Sequence, residues 1–188
     1  NRWEFEHRLA QQLRDRRASE PAAALFIDLD RFKAVNDSAG HAAGDDLLRG
    51  IGTILAGRVR GDDTVARLGG DEFVLILPGL DPANATFETM SVLSRVRESF
   101  MAPFRISDQM PTLTCSIGVS MFPHDAIDPV SLIKQADTAM YAAKDAGRNA
   151  YRFYTADMNT RVQLRLQLET DMRRGLMDDE FFLVYQPQ

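Results

Sequence analysis

The chain has 188 residues, and its 22 Lys and Arg against 27 Asp and Glu give a formal net charge of −5. A single Cys excludes a disulfide framework, three scattered His exclude a His/Cys zinc cage, and no apolar run approaches the roughly 20 residues of a membrane span. The 45% apolar content predicts a globular domain, and the acidic balance argues against DNA or RNA as a partner. We expect a cytoplasmic location, which stays compatible with a membrane anchor upstream in the full-length protein.

Hydrophobic periodicity predicts alternating helices and strands. Residues 22–27 are an unbroken apolar run bounded by charge, which is typical of a strand buried on both faces. Residues 31–44 form a polar, glycine-containing segment, and the next helix is expected only from about Asp45. Apolar and small residues alternate over 113–121, so Cys115 is expected to be a small buried hydrophobe and not a reactive thiol. The predicted elements are a helix over 1–18, a strand over 22–27, a helix from about 45, a hairpin of strands 64–68 and 73–77, a helix over 82–100, a strand over 113–121, a helix over 130–143 and a strand over 151–154.

This order of elements predicts an α/β (α+β) fold in which a mixed central sheet is flanked by helices. The tail differs, because Leu164, Leu168, Met172 and Leu176 recur four residues apart and predict a helix with one narrow apolar ridge. Residues 181–185 are predicted to be one more strand, which we interpret as the first piece of a further module.

A glycine turn with two carboxylates carries the strongest chemical signal. In Gly69-Gly70-Asp71-Glu72 the glycines let a ligand approach the backbone closely, and the adjacent carboxylates suit a hard cation. Asp28 and Asp30 follow the buried strand and share one face of it by alternation. If that strand lies beside the hairpin, the carboxylates meet and would bind Mg²⁺ or Mn²⁺ for phosphoryl chemistry. The alternative is a tight, solvated turn, which the second acidic pair disfavours.

The residues around this turn resemble a known family. Gly69-Gly70-Asp71-Glu72-Phe73, preceded by Arg67 and Leu68, is similar to the signature of the GGDEF-domain diguanylate cyclases. The resemblance covers roughly residues 1–155 and implies a nucleotide-cyclase or polymerase-palm fold, with a ferredoxin-like core and a mainly antiparallel sheet. Further matching segments are Asp28 to Lys33, Asn36-Asp37, Gly40-His41, Gly44-Asp45, Ser116 to Val119, Ala136-Asp137, Met140-Tyr141, Ala143-Lys144 and Gly147-Arg148-Asn149.

The resemblance implies a role for each matching acidic residue. Asp28 and Asp71 would ligate Mg²⁺ or Mn²⁺, with help from the backbone carbonyl of Leu29. Asp71 and Glu72 are the expected catalytic residues. Glu72 is either a metal ligand or the group that helps to deprotonate the attacking 3′-hydroxyl, and Gly70 would let the substrate approach the backbone.

For the substrate, the resemblance implies GTP. Asn36 and Asp45 would hydrogen-bond the guanine edge, whose N1–H and N2–H groups are donors. The expected contacts to the triphosphate are the backbone amides near Arg31 and Phe32 and the side chains of Lys33, Lys144 and Arg148. Without the resemblance, turn capping is the preferred explanation for Asn36 and Asp45, and with it guanine recognition is favoured. Lys144 and Arg148 are also explained as ordinary helix C-terminal cations, a role compatible with binding phosphate.

A second site is implied just upstream of the turn. Arg60 and Asp63 are three residues apart, similar to the R-x-x-D inhibitory site at which the product, cyclic di-GMP, binds in this family. Arg pairs with a phosphate or with the guanine Hoogsteen edge, and Asp accepts from guanine. Arg95, on the following helix, is the third candidate. The alternative is a helix-end Arg followed by an ordinary Gly-Asp turn.

The C-terminal segment resembles a different family. Leu168 to Leu176, then Glu180-Phe181 and Tyr185-Gln186-Pro187, are similar to the opening of an EAL domain, the cyclic di-GMP phosphodiesterase module. The domain prediction is a GGDEF domain over 1–155, then a linker helix and the truncated start of an EAL domain over 156–188. The E-A-L motif is absent here, so this segment is not expected to hydrolyse cyclic di-GMP.

Two hypotheses from different classes follow. The first is a diguanylate cyclase that condenses two GTP into cyclic di-GMP and two pyrophosphates, with product inhibition, and that requires a homodimer because each bound GTP attacks the other. The second is a non-catalytic domain that binds GTP or cyclic di-GMP and regulates an adjacent EAL phosphodiesterase. The intact turn, Lys144 and Arg148 favour the first. A purine cyclase or polymerase-palm enzyme shares the metal chemistry but does not account for Asn36 and Asp45.

Overall fold

The computed structural model describes residues 20–101, 104, 113–178 and 180–184, so the helix predicted over residues 1–18 lies outside the described residues. The chain divides into two units, Asn1–Tyr154 and Thr155–Gln188. The first unit contains β1 (Ala22–Leu29), α1 (Phe32–Ala39), α2 (His41–Ala56), β2 (Thr64–Gly69), β3 (Glu72–Leu77), α3 (Ala85–Glu98), β4 (Cys115–Phe122), α4 (Pro129–Asp145) and β5 (Tyr151–Phe153), and the second contains α5 (Ala156–Met177).

The strands of the described residues form one sheet in the order β2-β3-β1-β4-β5. β1 pairs antiparallel with both β3 and β4, β2 pairs antiparallel with β3, and β5 runs parallel to β4. All eight residues of the central strand β1 are buried, as its apolar run predicts. The prediction of a mixed, mainly antiparallel sheet flanked by helices is therefore confirmed.

Alternating side chains of β1 contribute to two hydrophobic cores. Leu25, Ile27 and Leu29 pack in a core that includes buried residues of α2 and α3. Ala24 and Phe26 lie in a second core with residues of α4. Because the side chains of a strand alternate between faces, Asp28 belongs to the face that α4 covers.

Gly118 allows α4 to lie directly on β4. A Cβ atom at this position would be 1.9 Å from the carbonyl oxygen of Ala136 and 2.1 Å from the backbone nitrogen of Met140. Lys144 follows Met140 by four residues, one helical turn, so the close packing brings Lys144 to the carboxyl end of β1.

Burial also explains the cysteine. Cys115 is 4% exposed at the start of β4, and burial raises the pKa of its thiol to about 12. The prediction of a small buried hydrophobe is confirmed.

The segment after β1 differs from the prediction. It contains α1 and the first residues of α2, whereas the sequence predicted a polar segment up to about Asp45. Val35, Ala39 and Ala43 pack against the core and supply an apolar stripe too sparse to recognise among polar residues. Gly40, with a φ of +85°, ends α1 and precedes α2.

The second unit is the helix α5 followed by chain without regular secondary structure. Its ridge residues Leu164, Leu168, Met172 and Leu176 are exposed. The strand prediction is wrong for residues 181–184, and Tyr185 lies outside the described residues. The Phe181 ring lies against Gly175, where a Cβ would be 2.8 Å from Cε2 of that ring, and no neighbouring strand is available within the described residues. None of the described helices is both long and apolar enough to cross a bilayer.

Candidate active site

The carboxyl end of β1 lies beside the hairpin turn. Asp28 is the register partner of Glu72 on β3, and the Leu29 N–H donates to the carbonyl oxygen of Asp71 at 3.3 Å. The strand adjacency on which the metal hypothesis depends is therefore present, and three acidic residues meet at one end of the sheet.

A glycine and an arginine shape the turn. Gly70 has a φ of +50°, in the left-handed region that glycine tolerates best. The Arg67 Nε–H donates to the Gly70 carbonyl at 2.8 Å. The register of β2 and β3 shifts between Arg67 and Gly69, and a bulge of this kind redirects the residues that follow it. Arg67 is part of the matching motif, and the motif alone predicted no role for it.

The carboxylates are partly withdrawn from water and act on one another. Burial raises the pKa of Asp28, and the neighbouring Asp71 and Asp30 raise it further, while the hydrogen-bonded Lys144 opposes them. Burial likewise raises the pKa of Glu72, to which nearby carboxylates contribute. Unfavourable negative charge therefore accumulates at this end of the sheet, and a cation would relieve it.

One of the carboxylates that raise the pKa of Glu72 is Asp137 of α4. Asp137 precedes Lys144 by seven residues, which puts both residues on one face of α4. Asp137 belongs to a segment that matches the family, but its sequence position alone predicted no place for it in the site. The seven-residue spacing between Asp137 and Lys144 was the feature of the sequence that could have predicted its place on this face.

Lys144 supplies positive charge within the cluster. Its Nζ lies 2.6 Å from Oδ2 of Asp28, and the two side chains are 24% and 9% exposed. The last turn of α4 is a favourable place for a cation because the helix dipole is negative there.

The donors at this end of the sheet fit Mg²⁺ or Mn²⁺ in kind. The carboxylates of Asp28, Asp71 and Glu72 and the carbonyl of Leu29 are oxygen donors, which hard divalent ions prefer. Within the described residues, no three Asp, Glu, His or Cys side chains are already gathered around one metal position. The Lys144 ammonium group lies at one oxygen of Asp28.

Asp30 does not join the cluster as a free carboxylate. Its Oδ2 accepts hydrogen bonds from the Thr114 hydroxyl at 2.7 Å and the Asn149 N–H at 3.0 Å, and its Oδ1 accepts from the Ser116 hydroxyl at 2.7 Å. Asp30 is 5% exposed. It is therefore a structural carboxylate that ties β1, β4 and the 147–149 turn together.

The two residues expected at the guanine lie where α1 meets α2. A Cβ at Gly44 would be 1.9 Å from Oδ1 of Asn36 and 3.2 Å from Cζ of Phe32. The Asn36 side chain therefore rests directly on the Gly44 backbone, next to the exposed Asp45. Only glycine allows this approach.

Several of the residues expected at the triphosphate lie at or near the start of α1. Arg31 adopts a left-handed φ of 59° at the N-cap, and no side chain among the described residues caps this helix. Uncapped amide groups at a helix start favour anions. Lys33 is exposed. Arg31 and Arg148 both line a cleft of about 470 Å³.

The three residues expected to bind product also lie close together. Oδ2 of Asp63 accepts from the Arg60 N–H at 2.7 Å. Burial raises the pKa of Asp63, and Arg60 and Arg95 both oppose that rise through their charge. Nη1 of Arg60 also lies 3.1 Å from Oε2 of Glu88, a pairing that sequence analysis missed.

Comparison with known proteins assigns these features to a family. Residues 1–150 match the family described as diguanylate cyclase, GGDEF domain. The chain is 41% identical over 184 residues to the bifunctional diguanylate cyclase/cyclic di-GMP phosphodiesterase MucR of Pseudomonas aeruginosa, covering 98% of this chain and 26% of that protein. It is 37% identical over 164 residues to the cyclic di-GMP phosphodiesterase PdeR of Escherichia coli, covering 87% and 24% respectively. The chain thus spans about a quarter of these curated relatives.

Solved structures agree with the sequence comparison. The GGDEF domain of PA1120 (TpbB or YfiN) from Pseudomonas aeruginosa has a TM-score of 0.80 at 40% identity, covering 87% of this chain and 94% of that one. The active GGEEF domain of a diguanylate cyclase from Vibrio cholerae has a TM-score of 0.71 at 27% identity, covering 82% and 97%. The chain belongs to the GGDEF-domain family of diguanylate cyclases.

Proposed function

We propose that this domain condenses two molecules of GTP into cyclic di-GMP and two pyrophosphates. The observation that carries the proposal is the meeting of Asp28, Asp71 and Glu72 at the sheet end, with the Lys144 ammonium beside them. Phosphoryl transfer requires both kinds of charge, carboxylates for a divalent ion and cations for the phosphates.

The roles of the residues follow from their chemistry. Asp28, Asp71, Glu72 and the Leu29 carbonyl would hold Mg²⁺ or Mn²⁺, which when bound polarises a phosphate oxygen and lowers the pKa of an attacking hydroxyl. The Glu72 carboxylate, with its raised pKa, is suited to accept the proton of the 3′-hydroxyl. The 3′-oxygen bonds to the α-phosphorus of the other GTP as the bond to pyrophosphate breaks. Lys144 would offset charge on the phosphates.

Selection of guanine is assigned to Asn36 and Asp45, and the chain offers a matched control. Asp45→Asn is expected to raise the KM for GTP about ten-fold, the effect of losing one charged hydrogen bond. The neighbouring Asp46 pairs with Arg49 on the exposed side of α2, and Asp46→Asn is expected to leave the KM unchanged. Equal effects of the two variants would remove Asp45 from the guanine site.

The remaining substrate contacts are proposed at the phosphates. The amide groups of Arg31 and Phe32 at the uncapped start of α1 are free of side-chain caps among the described residues, and Lys33 and Arg148 add positive charge nearby. Such a local patch explains how a chain of net charge −5 binds a triphosphate.

The reaction needs two domains that face each other, because each 3′-hydroxyl attacks the GTP of the other domain. We therefore propose a homodimer as the catalytic form, in the cytoplasm where GTP is available. We also propose that residues 156–188 lead into an EAL domain. The similarity to the bifunctional relative, which extends over 184 residues, supports this continuation.

A second candidate function is regulation without catalysis. PdeR and NbdA, 37% and 33% identical to this chain, are named as phosphodiesterases. A domain of this kind would bind GTP or cyclic di-GMP and control the adjacent EAL module. The complete Asp28, Asp71, Glu72 and Lys144 set favours catalysis.

Incubation of the chain with GTP and Mg²⁺, followed by chromatographic detection of cyclic di-GMP, separates the two candidates. The cyclase proposal expects product from the wild type and a loss of at least about a hundred-fold in Asp71→Asn and Glu72→Gln. A wild-type dimer that binds GTP tightly but forms no product would instead establish the regulatory function.

Product inhibition is proposed at Arg60, Asp63 and Arg95. The hydrogen bond from the Arg60 backbone N–H to Asp63, and the positive charges of Arg60 and Arg95, which oppose the rise in the pKa of Asp63, support this assignment. Arg60→Ala is expected to weaken cyclic di-GMP binding about ten-fold or more, as loss of a charge-assisted contact should. Arg58→Ala is the matched control, because the Arg58 Nε–H donates to the Ser99 hydroxyl at 2.8 Å instead. Equal affinities of the two variants would refute the site.

A further inference from the structure

The ion pair of Lys144 and Asp28 joins two residues that the proposed cyclase assigns to different ligands. Asp28 is assigned to the divalent ion and Lys144 to the triphosphate, yet Nζ of Lys144 lies 2.6 Å from Oδ2 of Asp28. A divalent ion that binds Asp28 through Oδ2 competes with the ammonium group for that oxygen. Binding of a divalent ion through Oδ2 therefore requires the Lys144 ammonium group to leave Asp28.

The surroundings of Asp28 make the pairing favourable while no external cation is bound. Asp28 is 9% exposed, so its charge is poorly hydrated. Burial raises the pKa of Asp28, and two further carboxylates, Asp71 and Asp30, also raise it. The ammonium group of Lys144 lowers it. An unpaired Asp28 carboxylate would be costly here, and Lys144 supplies the compensating charge.

Lys144 can leave Asp28 without movement of the helix. The backbone of α4 is fixed against β4 by the contacts of Ala136 and Met140 with Gly118. The lysine side chain has a flexible stem of four carbons beyond that fixed backbone and is 24% exposed. A change of side-chain rotamer therefore moves the ammonium group from the carboxylate toward solvent or a phosphate.

We propose that Lys144 is an exchangeable internal cation that neutralises Asp28 in the nucleotide-free protein and transfers to the triphosphate when nucleotide and divalent ion bind together. This inference rests on the proposed function. It predicts that the nucleotide-free protein binds a divalent ion weakly, because the ion must displace Lys144 with no new anion for the lysine. Nucleotide provides that anion, so nucleotide and metal binding are positively coupled.

Titration of Mn²⁺ into the nucleotide-free chain, followed by calorimetry or by the spectrum of free Mn²⁺, tests the exchange. Lys144→Gln and Lys144→Met, the latter keeping an apolar stem, are expected to bind Mn²⁺ about five-fold more tightly than the wild type, the range of a partly exposed ion pair. The same variants are expected to bind GTP more weakly. Asp28→Asn is expected to lose the Mn²⁺ site.

Lys134→Gln is the matched control, because Lys134 is an exposed residue of the same helix and its loss changes the net charge equally. Its Mn²⁺ affinity is expected to stay within two-fold of the wild type. Unchanged or weaker Mn²⁺ binding by the Lys144 variants would overturn the exchange, and so would an equal gain in Lys134→Gln. The titration contains no nucleotide, so its failure is distinct from a failure to make cyclic di-GMP.

A measurement on the wild type covers the case in which the Lys144 variants do not fold. We expect saturating Mg²⁺ to release one lysine ammonium from its protected position, visible as faster hydrogen exchange of that group by ¹⁵N NMR. A metal-saturated protein in which every lysine signal keeps its exchange rate would overturn the proposal.

Discussion

Asp30 accepts a hydrogen bond from the backbone N–H of Asn149, 119 positions later in the chain, at 3.0 Å. The same carboxylate accepts from the hydroxyl groups of Thr114 and Ser116. It therefore holds the end of β1 against the turn that carries Arg148, one of the residues assigned to the triphosphate.

Asp30→Ala is expected to lower the free energy of unfolding by about 3 kcal/mol, because three donors lose a buried acceptor. Urea denaturation measures the loss. Asp81→Ala is the matched control, since Asp81 is an exposed carboxylate that also accepts from a backbone N–H, that of Ala83. Its cost is expected to stay below about 1 kcal/mol. Similar losses in both variants would contradict the structural role of Asp30.

Asp30 also illustrates what the sequence can and cannot predict. The central strand and the hairpin are recognisable because an unbroken apolar run and a Gly-Gly turn are local features. The hydrogen-bond partners of Asp30 are 84, 86 and 119 residues away and leave no periodic trace. Alternation correctly puts Asp28 and Asp30 on one face, but it cannot tell a shared metal site from a structural carboxylate.

The same limit applies to other parts of the site. Asp28 and Glu72 can be paired in advance only if the order of strands is known, which the resemblance supplies and periodicity does not. The ion pair of Lys144 with Asp28 depends on the close approach of α4 to Gly118, which a tertiary contact determines. Helix α1 escapes detection because a short helix needs only two or three apolar contacts.

Gly44→Ala is expected to raise the KM for GTP about ten-fold, because the new Cβ occupies the position of the Asn36 side-chain oxygen. Stability should change little, since alanine favours the helix while the displaced side chain costs part of that gain. Steady-state kinetics with GTP tests the effect.

Gly50→Ala provides the control for this prediction on the same helix. A Cβ at Gly50 has no neighbour within 4 Å. We expect an unchanged KM and a gain of roughly 0.5–1 kcal/mol in stability from helix propensity. A normal KM in Gly44→Ala would show that Asn36 does not contact the substrate.

Gly118→Ala is expected to destabilise the domain by about 2–4 kcal/mol, because the methyl group would overlap the backbone of Ala136 and Met140 and force α4 away from β4. Thermal and urea unfolding measure the loss. The control is Gly52→Ala, where a Cβ would meet Cε1 of Phe73 at an ordinary 3.8 Å. A cost below about 1 kcal/mol for Gly118→Ala would contradict the close packing.

Glu72→Gln is expected to stabilise the domain near pH 7 while it abolishes the proposed activity. Burial and nearby carboxylates raise the pKa of Glu72 in the folded state, so the folded protein holds this proton more tightly than the unfolded chain does. The contribution of Glu72 to stability is therefore present below the ordinary pKa of a glutamate and is lost as the pH rises through the raised pKa.

Substitution by glutamine removes the cost of ionising Glu72, so unfolding curves in EDTA should show a gain of up to about 1 kcal/mol at pH 7, a figure that allows for solvent screening. Near pH 4 the gain should shrink toward zero, because glutamate is then largely protonated in both states. Glu98→Gln, an exposed change on α3, is expected to leave stability unaltered at either pH. A stabilisation of Glu72→Gln that persists unchanged at pH 4 would mean that ionisation of this carboxyl is not its cause.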